Sequence, residues 1–134
     1  MRCSKCKEDK DEDAFHNRYN RRSGNGKASQ CKECAKAQQC DVDRNRNTRL
    51  RREALTHYSQ GTMKCACCGE GMIRFLCIDH VNNDGAEHRR EIGRTTNIYR
   101  YLIKENFPEG YQVLCFNCNC GKAYNYGICP HKEI

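Results

Sequence analysis

"KCACCGEGMIRFLCIDH", residues 64–80, is the stretch whose reading decides the fold. It opens on Cys65-x2-Cys68 and closes on a run of strand formers ending in Asp79 and His80. Two residues between cysteines let one tight turn present both sulfurs to a single ion. One such pair is ambiguous, because redox proteins also use Cys-x-x-Cys. Here the pair recurs. Cys65-x2-Cys68 and Cys115-x2-Cys118 are separated by 46 residues, and upstream Cys3-x2-Cys6 and Cys31-x2-Cys34 by 24. Two successive double pairs predict two structural zinc sites, Cys3/Cys6/Cys31/Cys34 and Cys65/Cys68/Cys115/Cys118. An alternative closure, in which one pair crosses between modules, has the same spacings.

The rest of the composition shows why such staples are needed. A chain of 134 residues is one compact domain or two small ones, and 37% hydrophobic content with no Trp gives a small core. Thirteen cysteines are available to reinforce it, as disulfides in a secreted chain or as metal ligands in a reducing compartment. The opening "MRCSKCKEDKDED" has no apolar stretch of the kind a signal peptide needs, and no apolar run approaches the roughly 20 residues that span a membrane. The expectation is a cytoplasmic protein with reduced, zinc-binding cysteines and no membrane partner.

Charge is unevenly spread around a net +7. Residues 18–52 hold eleven Lys/Arg against three Asp/Glu, whereas from residue 61 onward nine basic residues nearly cancel eight acidic ones. Two thiolate zinc sites would lower the net charge to about +3, so the total is a weak argument for nucleic acid. The local excess is the stronger one, since clustered Lys/Arg release counterions when they meet phosphates.

Residues 1–39 read as a zinc ribbon or treble-clef-like hairpin, with a Gly-Asn-Gly turn at 24–26 and Arg18, Arg21, Arg22 and Lys27 at a basic tip. Phe15 and Tyr19 are expected in its small core. Residues 40–61 read as a basic linking helix ending at Gly61, with Leu50, Ala54, Leu55 and Tyr58 near helical spacing. Its Arg44, Arg46, Arg49, Arg51 and Arg52 are candidate phosphate contacts. Residues 62–134 read as a strand at 72–80, a polar loop and then a helix at 96–107 capped by Thr96. A second strand at 111–115 and a closing helix ended by Gly127 complete that module. The whole is an α+β protein.

With four cysteines closing the second zinc site, Asp79 and His80 are free for other chemistry. A carboxylate suits a hard Mg²⁺, and a neutral imidazole can take a proton from water near pH 7. Asn119, beside the last cysteine, offers an amide oxygen to the same ion. In an ideal strand Asp79 and His80 face opposite ways, so this reading requires the chain to twist there. His88, with Arg89 and Arg90, reads equally as a phosphate contact, a second active-site group or a solvated loop residue. His16 and His57 read as ordinary, and Cys40, Cys67 and Cys77 as free or buried thiols. Cys120, Cys129 and His131 are left over, one ligand short of a third metal site.

Cys65-x2-Cys68, Ile78-Asp79-His80 and Leu114-Cys115-x2-Cys118-Asn119 with Lys122 together resemble the HNH endonuclease family. Within it the pattern is similar to the phage-type, recombination endonuclease VII-like branch. The resemblance covers residues 63–131 and, more loosely, the N-terminal third. It implies a ββα-metal fold that hydrolyses phosphodiester bonds in double-stranded or branched DNA with one catalytic Mg²⁺ or Mn²⁺. His80 would then be the general base, Asp79 and Asn119 the ligands of that ion, and the two zincs structural. A phage-encoded protein of this kind would act in the host cytoplasm. A homodimer would cut both strands and a monomer would nick. The family's middle Asn falls at Gly110 here, so its role of orienting the base histidine passes to a backbone carbonyl or Gln112. The competing reading is a non-catalytic zinc-dependent nucleic-acid-binding protein, and a thiol redox protein is a distant third.

Overall fold

The computed structural model describes residues 1–20 and 24–133. The protein is a small α+β molecule with two antiparallel hairpins and, among the described residues, four α-helices. Strands β1 (Phe15–Asn20) and β2 (Gly24–Cys31) form the first hairpin, and α1 (Lys32–Tyr58) follows at once. Strand β3 (Leu76–His80), helices α2 (Gly85–Ile92) and α3 (Ile98–Lys104), strand β4 (Tyr111–Cys115) and helix α4 (Phe116–Tyr124) complete the chain. It divides into two compact units, Met1–Arg46 and Asn47–Ile134, with the boundary inside α1.

The two units repeat one local design. In the first, the Cys3 amide donates to the Glu8 carbonyl at 2.9 Å and the Lys7 amide to the Cys3 carbonyl at 3.0 Å. In the second, Cys65 donates to Glu70 at 2.8 Å and Gly69 to Cys65 at 3.0 Å, so the two turns are equivalent residue for residue. Each turn is followed by a short 3₁₀ turn, Glu12–Ala14 or Ile73–Phe75, and then by a hairpin. In each hairpin the third cysteine ends the second strand, opposite a buried apolar residue: Phe15 pairs with Cys31, and Leu76 with Cys115. The fourth cysteine, Cys34 or Cys118, lies in the first turn of the helix that follows. Knuckle, hairpin and helix thus recur with different side chains.

The cores are correspondingly small. Cys3, Phe15 and Cys31 are buried in the first unit, with Ala14 and Cys34 packed against them. In the second, Leu55, Leu76, Val113 and Leu114 surround Cys65, Cys115, Cys118 and Cys129. Helix α1 buries only Ala54 and Leu55, both near its C-terminal end. That end is fixed by the Tyr58 hydroxyl, which donates to the Pro108 carbonyl at 2.7 Å, and by His57 stacking on Phe107 at 4.0 Å.

Several expectations are corrected. Gly24, Asn25 and Gly26 do not form the turn; they pair with Asn20, Tyr19 and Arg18 within the hairpin. Tyr19 is exposed rather than part of the core. Arg21 and Arg22 lie outside the described residues. Helix α1 starts at Lys32 rather than near 41, because "KECAKAQQC" is made of good helix formers although it has no apolar stripe. The stretch 85–92, expected as loop, is helix α2. The cap of α3 is Asn97, whose side chain accepts from the amides of Tyr99 and Arg100, while the Thr96 hydroxyl donates to the Ile92 carbonyl. Helix α4 stops at Tyr124, before Gly127.

The equivalence of the knuckles has a measurable consequence. The residue after the second cysteine is left-handed in both, Lys7 at φ 64° and Gly69 at φ 77°. An L side chain pays about 1–2 kcal/mol there, and a Cβ on Gly69 would meet no atom within 4 Å. Gly69→Ala is therefore expected to destabilise by about 1 kcal/mol and Lys7→Gly to stabilise by a similar amount. Urea denaturation of the two variants checks both signs.

Candidate metal centres and active site

Each cysteine quartet is gathered to a point. The sulfurs of Cys3, Cys6, Cys31 and Cys34 lie within 4.8 Å of one another, and so do those of Cys65, Cys68, Cys115 and Cys118. The crossed alternative is thereby excluded for these four pairs. Soft thiolates at such separations suit tetrahedral zinc. The backbone prepares them for it. The Cys31 amide, donating to Cys3 Sγ at 3.3 Å, is the largest influence holding the Cys3 thiol down at about 6. At the equivalent position, burial pushes Cys65 up, but the amides of Cys68, Cys115 and Cys67 outweigh it and bring it to about 6. One thiol in each quartet is thus biased toward the thiolate a metal requires.

The left-over residues near the C-terminus enter a third group in part. Cys67, Cys118, Cys129 and His131 also bring their ligand atoms within 4.8 Å of one another. This group keeps Cys129 and His131 of the left-over trio but replaces Cys120 with Cys67 and Cys118. Cys120 and Cys40 are exposed and outside every such group, while Cys77 is buried and accepts from the Asn119 amide at 3.4 Å.

Strand β3 is regular through its last two residues, pairing Asp79 with Gln112 and His80 with Tyr111. No twist turns them to the same side. Asp79 lies with the residues of α4: its Oδ2 accepts from Lys122 Nζ at 2.7 Å and from Gln112 Nε2 at 2.8 Å. The Lys122 ammonium also donates to the carbonyls of His80 at 2.6 Å and Val81 at 3.0 Å. Both Asp79 and Lys122 are buried, with side chains 7% exposed. A hard divalent ion at this carboxylate would meet a cation already in contact with it. As arranged, the Asp79–Asn119 pair does not fit such an ion.

His80 belongs to a different cleft. Its Nε2 is 3.0 Å from His88 Nδ1, its ring lies 4.8 Å from that of Tyr111, and the Tyr111 hydroxyl is 3.4 Å from both His88 nitrogens. Gln112 is committed to Asp79, and the side chain that meets the His80 ring nitrogen is His88. Helix α2 delivers His88 to this position, and Gly85 lets the helix start close to the ring. A Cβ at Gly85 would lie 2.9 Å from His80 Nδ1. Burial first, and the neighbouring His88 second, push the His80 imidazole below its usual pKa and favour the neutral ring. The cleft is open to solvent and has a volume of about 220 Å³. Asp84, Glu87, Glu91 and Glu109 line it beside the two histidines, and these carboxylates are hard donors in His80's own cleft.

The expected phosphate contacts are sorted by their partners. Arg51 has a structural task, donating to the carbonyls of Ile73 at 3.0 Å, Arg74 at 3.2 Å and Leu76. Arg44 pairs with Asp41 and Arg46 with Asp43 along α1, while Arg49 and Arg52 are exposed. Arg18 and Lys27 share a shallow depression with Tyr19 in the first unit. Arg89 and Arg90 of α2 flank a groove together with Arg94, just past the helix end. No helix among the described residues is long and apolar enough to cross a membrane. Comparison with protein-family models, with curated proteins and with solved structures returns no significant match.

Lys122 ties α4 to the end of β3, and its loss would leave a buried carboxylate without its counter-charge. Lys122→Met is expected to cost about 3–5 kcal/mol, and the double change Lys122→Met with Asp79→Leu to recover most of it. Chemical denaturation of the single and double variants checks both statements.

Proposed function

We propose that the chain is a divalent-metal-dependent endonuclease acting on double-stranded or branched DNA, with structural zinc in its two cysteine quartets. The observation that carries this reading is the His80–His88 pair in an open cleft, with His80 biased toward the neutral ring. A neutral imidazole held by a second one is suited to take a proton from an attacking water. The resemblance of residues 63–131 to HNH endonucleases, read from the knuckles and the Asp-His and Cys-Asn pairs, points the same way.

The chain's own groups divide the work. His80 holds or accepts the proton at the imidazole, His88 and Tyr111 fix its ring, and Lys122 locks the strand end through the His80 and Val81 carbonyls. Arg89, Arg90 and Arg94 offer positive charge to a DNA backbone beside α2. Asp84, Glu87, Glu91 and Glu109 would repel a phosphodiester on their own. They are the residues that would hold Mg²⁺ or Mn²⁺ in this cleft, where the ion supplies charge stabilisation to the scissile phosphate. The expected ligands Asp79 and Asn119 then act in positioning, through the α4 contacts.

A second reading is favoured by one specific observation. The Lys122–Asp79 ion pair removes the motif's carboxylate from reactive chemistry, which suits a zinc-dependent DNA-binding module without catalysis.

Supercoiled plasmid incubated with the protein and Mg²⁺ or Mn²⁺ separates the two. The endonuclease reading expects nicking or linearisation that EDTA abolishes, that falls at least about 100-fold in His80→Ala, and that persists in Asp79→Asn if that variant folds. DNA binding without any metal-dependent nicking would leave only the binding module.

A further inference from the structure

The two metal-ligand groups of the second unit share one atom. Cys118 Sγ closes the quartet with Cys65, Cys68 and Cys115, and also closes the group with Cys67, Cys129 and His131. We propose that Cys118 is a bridging thiolate, and that this unit holds a pair of zinc ions, the second on Cys67, Cys118, Cys129 and His131.

Geometry supports a metal rather than a chance gathering of thiols. Zinc bonds of about 2.3 Å to sulfur and 2.0 Å to nitrogen make a tetrahedron whose S···N edge is about 3.5 Å and whose S···S edge is about 3.8 Å. His131 Nδ1 lies 3.4 Å from Cys118 Sγ and 3.5 Å from Cys129 Sγ, close to that edge on both sides. In the neighbouring quartet, Cys68 Sγ is 3.6 Å from Cys115 Sγ. The ligands are also held by the fold. Cys118 and Cys129 are buried, and Cys129 belongs to the core around Leu76 and Val113. Cys67 comes from the first knuckle itself, between two ligands of the other ion, so the two sites are built from one turn. The segment carrying Cys129 and His131 packs back on α4, with Pro130 close against Gly121; a Cβ there would be 3.0 Å from Pro130 Cδ.

Charge favours the pair as well. The second ion recruits two further thiolates and one neutral imidazole, so its two positive charges are matched by two negative ones. The cluster keeps the same net charge as a single four-thiolate site, and the Cys67 and Cys129 sulfurs gain a partner. A single ion would leave those two thiols crowded against a zinc-bound sulfur with no such compensation.

This assignment is independent of nuclease activity, since its readouts are metal content and metal spectra of the whole chain. Native mass spectrometry of the reduced, zinc-loaded protein is expected to show three zinc ions per chain, and two in each of Cys129→Ser and His131→Ala. Two ions in the wild type, or three retained in both variants, would overturn it. Should the variants not fold, ¹¹³Cd NMR of the cadmium-loaded wild type decides. Three resonances are expected, two of them scalar-coupled through the shared sulfur and the third, from the first unit, uncoupled. Two resonances, or three without coupling, contradict the bridge.

Discussion

Four sulfurs converging on one point hold each hairpin to the helix that follows it, and the rest of the molecule depends on that convergence. The first unit shows this most clearly, because its buried apolar set is Cys3, Phe15 and Cys31. Burying one phenylalanine contributes about 2 kcal/mol, whereas a structural zinc in a small domain contributes about 10–16 kcal/mol. A metal held by these sulfurs would therefore decide whether the unit folds, while the core decides which way the sulfurs face. Phe15 opposite Cys31, and Leu76 opposite Cys115, place that apolar contact directly beside the ligands.

The shared frame carries different side chains in its two copies. Counting from the residue opposite the third cysteine, the second hairpin carries Asp79 and His80 where the first carries Arg18 and Tyr19. Along the helices, Asn119 and Lys122 stand where the first unit has Ala35 and Gln38. The first unit thus has the frame without the acid, the imidazole or the buried lysine, and presents an exposed aromatic ring and basic side chains instead. Around the shared knuckle and cysteine positions the two differ in backbone as well: the first hairpin shifts register between Phe15 and Asn17, while the second is regular and carries α2 and α3 between its strands.

Much of this was legible because cysteine spacing is a geometric constraint that survives the absence of a large core. Both quartets, both hairpins, α3 and α4 follow from the knuckles and from alternating or helical apolar positions. The missed features share a cause, which is that they leave no periodic trace. Helix α2 has only Ala86 and Ile92 as apolar side chains, so "GAEHRREI" looks like loop, yet it is what brings His88 to His80. In the sequence Arg51 is indistinguishable from its basic neighbours, and only the placement of the Ile73, Arg74 and Leu76 carbonyls reveals its structural task. Cys67 looked spare because its partners, Cys129 and His131, lie far along the chain. The split of Asp79 and His80 onto different faces was visible in strand alternation, and it is the point at which the motif and the geometry part company.

Each unit is built as one knuckle, hairpin and helix, which zinc on its four sulfurs would staple together. Hydrogen exchange on the intact chain, resolved by residue and followed as zinc is withdrawn by a chelator, tests this stapling most directly. The account predicts that backbone amides in β1–β2 and in β3–β4 both lose protection when metal leaves and regain it when zinc is restored. Slow exchange persisting in either hairpin in the metal-free chain would contradict it.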